Sequence, residues 1–573
     1  MNENHFHVVI VGSGFGGSVM AYRLAEGDLR VCLLERGKAY PPGSFPRSPY
    51  RMRKNFWDPS EGLHGLYNVW GFRGLDALVS SGLGGGSLIY ANVLLRKDEK
   101  WFVKEDVLNG GYEYWPVTRA ELDPHYDAVE GMLRPQRYPF DQPPYNNTPK
   151  TRAFRTATER LGLEPFLPKL AVTFANEGEE PVPGEPIREK DDNLHGRTRL
   201  TCQLVGECDF GCNYGSKNSL DYTYLSAAQR GGADLRTRCE VRSFEPRDGG
   251  GYAVHYVHHA PEREGYKTDT TRLPLQTVTA DRLVLAAGSL GSTFLLHKNR
   301  SAFPRLSRRL GTRFGGNGDL LTFAVKSSEE SGAARVPRII DPGYGPVITS
   351  AVRVGDELDG EEGRGFYLED AGFPEHLTWI LQGLDTPGAL WRWRLTASNL
   401  IRGWLGKDPE SDLGAEISEL LGQTELSAGV LPMIGMGRDI PDGNMTLRGS
   451  KLDVDWRKLK SGPFFDRLRD TARRIAGELG ADFEDNPIWY LGRVITVHPL
   501  GGCPMGRNER EGVVNEYGEV FNYPGLYVAD GSVMPGPVGP NPSLTIAALA
   551  DRFADRILKE PRSAVGSAPV IGK

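Results

Sequence analysis

The feature that most constrains the fold lies at the start of the chain. A short apolar run at residues 6–11 leads directly into Gly-Ser-Gly-Phe-Gly-Gly at residues 12–17, which matches the pattern G-x-G-x-x-G. Apolar residues at helical spacing follow at residues 18–25, and a second apolar run at residues 31–34 ends in Glu35. This order of a strand, a glycine turn, a helix and a second strand predicts a βαβ unit with a carboxylate at the C-terminal end of its second strand.

Each residue type in this unit has a mechanical reason. Gly12 permits a tight turn, Gly14 lets the backbone approach a pyrophosphate, and Gly17 lets the helix pack closely on the strand. The N-terminus of the helix offers free N–H groups and a positive dipole end to phosphates. Glu35 is placed to accept hydrogen bonds from a ribose hydroxyl, which argues against NADP but does not separate FAD from NAD. The alternative is a glycine turn with a purely structural role.

Composition limits the classes of function. The net charge is -6, so the chain has no basic field and we expect no nucleic-acid partner. The first predicted strand begins so close to Met1 that we expect no signal peptide, and no apolar run reaches the roughly 18 residues of a membrane span. The 6 cysteines are too few for a disulfide-dense scaffold, so we expect a reducing, cytoplasmic location.

A second glycine cluster occupies residues 80–92. Its consecutive glycines, which include Gly82 and Gly86, remove side chains where a ligand must lie against backbone, and successive N–H groups can form an anion-binding nest. A flexible linker is the alternative. The sequence Ile-Tyr-Ala-Asn at residues 89–92 has the wrong composition for a linker and favours ligand binding.

Two strand patterns in the middle of the chain bear on domain organisation. Residues 235–241 alternate in the manner of a strand, and an apolar run at residues 280–289 ends in small residues. The second run has the character of a nucleotide-domain strand although it lies far from the first βαβ unit. The nucleotide-binding domain is therefore expected to be discontinuous in sequence.

A cysteine-rich turn contains Cys202, Cys208 and Cys212. Three thiols lack the fourth ligand of a structural zinc or iron–sulfur site, and Cys503 is only a remote candidate for it. The spacing is not one of the standard metal-binding patterns. We therefore predict a structural turn and no metal.

The region from residue 320 to residue 489 has few glycine clusters and contains a stretch rich in tryptophan and arginine at residues 379–404. Such a stretch could cap an apolar substrate channel or make peripheral contact with a membrane surface. Helices that bury tryptophan against a sheet are the alternative.

The last informative stretch contains His498 and Asn541. His498 stands between a strand pattern and a glycine turn, a place that exposes an imidazole rather than burying it. Asn541 and Pro542 have the pattern of the N-cap and first residue of a long helix that ends near residue 558. A single histidine is more often structural than catalytic, so these residues alone do not establish a function.

Taken together, these motifs resemble the glucose–methanol–choline (GMC) oxidoreductase family, in particular its cholesterol-oxidase-like branch. The resemblance rests on residues 12–35, 82–92 and 286–288 and on the loops around His498 and Asn541. It implies an α/β fold with a discontinuous Rossmann-like FAD-binding domain and an α+β substrate-binding domain that contains a large antiparallel sheet. The expected FAD-binding segments are residues 1–44, 75–100, 195–318 and 488–562, and the expected substrate-binding segments are 45–74, 101–194 and 319–487, followed by a flexible tail at 563–573.

The resemblance also implies catalytic residues. His498 and Asn541 match the pair that faces the flavin and the substrate hydroxyl in this family. Glu369 matches the loop carboxylate that steroid-oxidising relatives use as a base, with Asp370 and Glu375 as alternative counterparts. Some members attach FAD covalently through a histidine where this chain has Leu-Ile-Tyr at residues 88–90, so FAD is expected to bind non-covalently.

The expected cofactor contacts come from the two glycine clusters, the strand ends and the loop before the last helix. They are Gly12, Gly14, Phe15, Gly17, Glu35, Gly82, Gly86, Ser87, Asn92, Val241, Ala287, Gly288, Asp530, Gly531, Asn541, Pro542 and Ser543.

The implied reaction is the oxidation of a secondary alcohol in an apolar, steroid-like molecule, with hydride transfer to flavin and oxygen as the acceptor. His498 would take the hydroxyl proton, Asn541 would align the oxygen, and Glu369 would shift a ring double bond. Two alternatives remain open. One is a GMC dehydrogenase that acts on a terpenoid, aliphatic or sugar alcohol with a non-oxygen acceptor, and the other is a non-redox lyase that contains FAD.

Overall fold

Two large sheets organise the part of the chain that the structure describes. The structure is a computed structural model, and it describes residues 4–47, 53–106, 110–331, 334–374 and 429–560. We call the two sheets the nucleotide sheet and the antiparallel sheet.

The nucleotide sheet has seven strands from distant parts of the chain. Its order is Asp234–Arg236, Val31–Leu34, His5–Val11, Leu275–Leu285, Tyr252–His258 and Cys239–Pro246, and the seventh strand, Leu526–Val528, pairs with Leu275–Leu285. The first four strands and the seventh pair in parallel, whereas the remaining two form an antiparallel hairpin. This arrangement confirms the Rossmann-like βαβ unit and its discontinuous sheet.

Burial explains the sequence of the parallel strands. Every residue of Val31–Leu34 is buried, which is the pattern of a parallel strand that is covered on both faces. The helix Phe15–Glu26 packs against the C-terminal helix Ser543–Lys559. Arg23 on the first helix forms ion pairs with Asp551 and Asp555 on the second, so the two ends of the chain are joined.

The strand pattern at residues 235–241 is divided in the structure. Asp234–Arg236 pairs in parallel with Val31–Leu34, whereas Cys239–Pro246 pairs with Tyr252–His258 at the other end of the sheet. Arg238 lies between the two strands with a φ of 58°, in the left-handed region. The prediction of one continuous strand was wrong because this turn redirects the chain.

The antiparallel sheet has five strands. Their order is Ala351–Val354, Phe366–Asp370, Leu431–Gly437, Leu320–Val325 and Asp482–Asp485, and every neighbouring pair is antiparallel. The amphipathic helix Gly462–Glu478 covers it with Phe464, Phe465, Leu468, Ala472 and Ile475, all of which are buried. The large antiparallel sheet expected from the resemblance is present.

Smaller elements complete the described residues. The other helices are Arg119–Leu133, Pro149–Arg160, Ser226–Arg230, Gly288–Lys298 and Pro487–Tyr490. A three-stranded sheet has the order Val494–Thr496, Leu75–Ser80 and Tyr67–Phe72. Two-stranded antiparallel sheets pair Trp57–Asp58 with Leu63–His64, Val103–Glu105 with Tyr112–Tyr114, Gln136–Arg137 with Lys169–Leu170, Ser328–Ser331 with Ala334–Pro337, and Asn444–Arg448 with Lys451–Asp455.

Two sequence predictions fall where the structure gives no description. The tryptophan-rich stretch at residues 379–404 and the tail at 563–573 lie outside the described residues. None of the helices in the described ranges has the length and apolar character that a bilayer span requires. The domain boundaries given above stay a prediction.

Candidate functional site

The two glycine clusters meet in space and form one surface of backbone. A Cβ atom added to Gly85 would lie 2.5 Å from the Cα of Gly14. A Cβ on Gly12, whose φ is 99°, would lie 2.4 Å from the carbonyl oxygen of Ala286. Side chains are therefore excluded where the two clusters and the strand end at Ala286 come together. We call this surface the glycine cradle.

A single cavity extends from the glycine cradle to the antiparallel sheet. Its volume is about 1140 Å³, and its lining includes Glu35, Gly14 and Gly86 on the nucleotide side and His498 and Asn541 on the other. Both large sheets contribute residues to the lining. The cavity brings together residues that lie at opposite ends of the sequence.

Glu35 lies at the nucleotide side of this cavity. Its carboxylate accepts hydrogen bonds from the backbone N–H of Ser13 at 3.0 Å, the hydroxyl of Ser13 at 2.7 Å and the backbone N–H of Gly37 at 2.8 Å. These contacts hold the carboxylate against the first glycine cluster. The sequence placed Glu35 at this strand end, and the structure shows it in the lining.

Asn541 lies in the loop that precedes the C-terminal helix. The helix begins at Ser543, Pro542 is its N-cap, and no side chain caps it. The side chain of Asn541 instead donates from Nδ2 to Glu369 Oε2 at 3.4 Å. The prediction that Asn541 is the N-cap was therefore wrong by one residue, because its amide turns toward the antiparallel sheet.

His498 is held by an aspartate that the sequence analysis did not single out. Its Nδ1 lies 2.7 Å from Oδ1 of Asp319. The second carboxylate oxygen of Asp319 accepts from the backbone N–H groups of Val497 at 2.8 Å and His498 at 3.0 Å, and from the hydroxyl of Thr496 at 2.9 Å. Asp319 is only 3% exposed, so the imidazole has a fixed charged partner on one side and the cavity on the other.

Glu369 lies on the strand Phe366–Asp370 and is fully buried. Burial raises the pKa of its carboxyl to about 8, against the opposing effect of the hydrogen bond from Asn541. Its Oε1 has no hydrogen-bond partner in the described part of the chain. Glu369 is therefore a neutral acid at neutral pH, in direct contact with Asn541.

The alternatives to Glu369 differ in their surroundings. Asp370 forms a buried ion pair with Lys150 at 2.9 Å and accepts from the backbone N–H groups of Thr349 and Ser350. Its carboxylate is thus committed to structural contacts. Glu375 lies outside the described residues.

Comparisons with known proteins agree with this architecture. Models described as GMC oxidoreductase match residues 184–314 and 478–550, and a model described as an NAD(P)-binding Rossmann-like domain matches residues 10–41. A cholesterol oxidase of Mycobacterium tuberculosis is 30% identical over 570 residues, which cover 96% of this chain and 90% of that protein. The chain belongs to the GMC oxidoreductase family.

Two further proteins extend the comparison. A cholesterol oxidase of Acinetobacter baumannii is 27% identical over 574 residues, covering 96% of this chain and 94% of that protein. The crystal structure of pyridoxine 4-oxidase from Mesorbium loti shares the fold, with a TM-score of 0.56 and 17% identity over 96% of this chain and 98% of that chain. This GMC oxidoreductase is therefore an alcohol-oxidising enzyme with a Rossmann-like dinucleotide-binding domain, and the family implies FAD as the dinucleotide.

The cavity lining of this GMC oxidoreductase fits a dinucleotide. A Cβ atom on Gly14 or Gly86 would meet no atom within 4 Å, so backbone faces open space there. Within the described ranges, Ser289 Oγ, Ser543 Oγ and Asn541 Oδ1 are buried at the lining without a hydrogen-bond partner. Bare backbone and unused polar atoms in one elongated cavity suit a large ligand with phosphate, ribose and ring groups.

Most of the predicted site residues lie in this lining. They are Gly12, Gly14, Phe15, Glu35, Gly86, Val241, Ala287, Gly288, His498, Asp530, Gly531, Asn541, Pro542 and Ser543. Among the residues that the structure describes, the predicted residues that do not form part of the lining are Gly17, Gly82, Ser87, Asn92 and Glu369. Ser87, for example, donates to the carbonyl of Gly84 at 2.7 Å and accepts from the N–H of Leu220 at 3.0 Å, so it shapes the second cluster.

Sequence reasoning missed three carboxylates at the cavity of this GMC oxidoreductase, Asp209, Glu240 and Asp319. Asp319 ends the sequence Gly-Gly-Asn-Gly-Asp at residues 315–319. Its place between a glycine turn and an apolar strand is the sequence pattern that could have identified it as a site residue. Asp209 also lines the cavity, and burial raises its pKa to about 6, opposed by the positive charges of Lys217 and His498. Asp209 gave no signal beyond its place in the cysteine-rich turn.

The cysteine-rich turn is tied to the second glycine cluster by Lys217. Its ammonium group donates to the carbonyls of Leu88 at 3.0 Å, Tyr90 at 2.9 Å and Cys208 at 2.7 Å. Burial raises the pKa of the Cys208 thiol to about 11. Over the described ranges, no group of three or more His, Cys, Asp or Glu side chains is arranged to hold a metal ion. The turn supports the wall of the cavity.

Proposed function

We propose that this enzyme oxidises the secondary hydroxyl group of an apolar, steroid-like alcohol, with non-covalently bound FAD as the hydride acceptor and oxygen as the final acceptor. One observation carries the proposal. His498 and Asn541 line the cavity together with both the glycine cradle and a wall of apolar side chains. A substrate hydroxyl can therefore meet a base at the boundary between a nucleotide site and an apolar chamber.

The apolar wall supports a steroid-like substrate. It consists of Val69, Trp70, Val79, Phe294, Leu321, Phe323, Val347, Ile348, Phe373, Ile434 and Met436. Removing apolar surface from water contributes about 25 cal/mol per Å², so a large rigid hydrocarbon gains much of its affinity from such a wall. The similarity to proteins named cholesterol oxidase supports the same substrate class.

The residues that would hold FAD are those of the cradle. Gly14 and Gly86 offer bare backbone to its pyrophosphate, Glu35 offers a carboxylate to its ribose, and Ser543 begins the helix whose free N–H groups favour negative charge on the ring. When bound, FAD supplies the acceptor for the hydride that leaves the alcohol carbon. Residues 88–90 contain no histidine, which supports non-covalent binding.

His498 is the group that accepts the hydroxyl proton. Asp319 accepts a hydrogen bond from Nδ1–H of the neutral ring, which leaves the lone pair of Nε2 as the available base. The two backbone N–H bonds to the same carboxylate fix the orientation of the residue. General-base catalysis of this kind contributes typically about 10²–10⁴-fold to a rate.

Asn541 aligns the substrate oxygen. One Nδ2 hydrogen is committed to Glu369, and the second can donate to the alcohol oxygen while His498 removes the proton. Glu369, once ionised, is the candidate base for moving a carbon-bound proton and shifting a double bond, and because it is not part of the cavity lining this role requires its carboxyl group to move toward the substrate. Because its pKa is about 8, this second activity increases as the pH rises through that value.

The test is an anaerobic titration of the purified enzyme with matched compounds, followed by the flavin absorbance. A 3-hydroxysteroid should bleach the flavin, whereas the corresponding 3-ketone should not, and a straight-chain alcohol should bleach it more slowly. In air, one peroxide should form per alcohol oxidised. Absence of flavin absorbance would overturn the cofactor assignment. Bleaching by other alcohols but not by steroids would overturn the substrate class, and oxidation without peroxide would identify a dehydrogenase.

A further inference from the structure

Residues 315–319 lie against both loops that carry the proposed catalytic pair. Gly315 exchanges two backbone hydrogen bonds with Leu500, at 3.1 and 3.0 Å, in the loop that follows His498. The carbonyl of Asn317 accepts from the N–H of Gly437 at 2.8 Å, which anchors the segment to the antiparallel sheet. Asp319, at the end of the segment, binds His498 as described above.

Asn317 makes all its side-chain contacts with the other loop. Its Oδ1 accepts from the backbone N–H groups of Val538 and Gly539, both at 2.9 Å. Its Nδ2 donates to the carbonyls of Gly539 at 3.3 Å and Pro540 at 3.1 Å. The residue is fully buried, so these four bonds use the whole capacity of the amide. The last residue that these bonds hold, Pro540, directly precedes Asn541.

The loop that Asn317 holds depends on outside contacts for its shape. Gly539 has a φ of 98°, and a Cβ there would lie 2.3 Å from the ring of Trp101. Lys97 donates to the carbonyls of Pro537 at 2.7 Å and Val538 at 3.1 Å. The backbone polar groups of residues 537–540 are thus hydrogen-bonded to the side chains of Asn317 and Lys97 rather than to one another.

We propose that Asn317 is a positioning residue for the oxidation, which it serves by fixing Asn541 relative to His498. Asp319 fixes the orientation of His498, and Asn317 fixes the loop that leads to Asn541. Asp319 and Asn317 lie on the same five-residue segment, residues 315–319. A displacement of about 1 Å in a reacting group can lower a rate by about 10²-fold. The inference rests on the proposed roles of His498 and Asn541.

The first variant is Asn317→Asp, made in the full-length holoenzyme. Aspartate has the same shape as asparagine, tolerates a φ of 54° and still accepts from two N–H groups. Its second oxygen replaces the amide nitrogen, so the hydrogen bonds to the carbonyls of Gly539 and Pro540 are lost. We expect kcat to fall by about 10–100-fold, as for a small misplacement, while KM changes by less than about threefold and the flavin content is unchanged. Asn317→Ala, which removes all four bonds, should lower kcat further.

The matched control is Asn299→Asp. Asn299 is also buried, accepts from the N–H of Phe244 at 3.2 Å and donates to the carbonyl of Leu295 at 2.8 Å. It serves the nucleotide sheet and the helix Gly288–Lys298 rather than the Asn541 loop. We expect a similar loss of melting temperature with kcat within about twofold of the parent enzyme. An equal loss of kcat in the control would overturn the assignment.

A double-mutant cycle distinguishes positioning from general destabilisation. If Asn317 acts through Asn541, then Asn317→Asp should slow the parent enzyme but have no further effect in Asn541→Ala. Independent, multiplying losses would overturn the positioning role while leaving Asn541 in the mechanism. Full turnover in Asn541→Ala alone would instead remove the proposed role of Asn541, and the inference with it.

Discussion

The glycine cradle and the proposed catalytic end of the cavity, which contains His498 and Asn541, are built from different parts of the polypeptide. The cradle is made of backbone, and its shape depends on positions such as Gly12 and Gly85 that have no Cβ atom. The catalytic end is made of side chains, in which His498 and Asn541 are each held by another side chain from a distant segment. The first region is therefore sensitive to added volume, and the second to the loss of one hydrogen-bonding group.

The largest effect is expected for a volume change in the cradle. A Cβ on Gly16 would lie 1.6 Å from the carbonyl oxygen of Ala529, so Gly16→Ala forces the start of the helix Phe15–Glu26 away from the end of the strand Leu526–Val528. We expect its free energy of unfolding to fall by about 4 kcal/mol or more, measured by chemical denaturation. Retention of parental stability would show that the cradle is not limited by close backbone contact.

Gly14→Ala is the matched control, because a Cβ there would meet no protein atom within 4 Å and the φ of -69° suits alanine. Its stability should lie within about 1 kcal/mol of the parent value. Its flavin content after gel filtration should fall, since the added methyl group enters the space assigned to the pyrophosphate. Unchanged flavin affinity in Gly14→Ala would contradict that assignment.

The next effect concerns the catalytic end. His498→Ala should lower kcat by about 10³-fold, because it removes the proposed base. Asp319→Asn should lower kcat by about tenfold, since the amide loses the charge that stabilises the protonated ring. Stopped-flow measurement of anaerobic flavin bleaching checks both values, and flavin content should match that of the parent. His255→Ala, on the strand Tyr252–His258, serves as the histidine control and should keep its full rate.

The smallest effect concerns Glu369. Its folded-state pKa of about 8 lies above the ordinary value of 4.5, so folding favours the neutral form. The resulting stability is present below the unfolded pKa and is lost as the pH rises through about 8. Glu369→Gln, which stays neutral, should therefore keep this stability, so its free energy of unfolding should rise relative to that of the parent as the pH increases from 5 to 9.

Denaturation curves of the two proteins at a series of pH values give this difference directly. The rate of alcohol oxidation in Glu369→Gln should remain within about threefold of the parent rate, because oxidation uses the histidine. Double-bond isomerisation should disappear. A parallel pH dependence in both proteins would show that Glu369 titrates in its ordinary range.

The contrast between the two regions explains how much the sequence could predict. The cradle follows local rules, because a glycine turn between a strand and a helix leaves its signature within about 30 residues. The βαβ unit and Glu35 were predicted in this way. The prediction of one strand over residues 235–241 was wrong because strand propensity does not reveal the turn at Arg238 that separates two strands.

The catalytic end depends on contacts that have no local signature. Asp319 lies 179 residues from His498, and Glu369 lies 172 residues from Asn541. The sequence around Asn541 satisfied the rules for a helix cap, but a buried carboxyl on another sheet was the stronger partner for its amide. Family resemblance proposed roles for His498, Asn541 and Glu369, whereas the contacts of Asp319 and Asn317 became visible only in the fold.

The strand Leu275–Leu285 has a consequence for how the protein is made. Its C-terminal half pairs with His5–Val11 on one side and with Leu526–Val528 on the other. At a synthesis rate of about 5–20 residues per second, the second edge of this apolar strand stays unpaired for roughly 10–50 s on the ribosome. An open edge of that kind is a template for pairing with other chains. Premature termination before residue 526 would therefore release a nascent chain that is prone to aggregate, and chaperones would have an opportunity to bind during that interval.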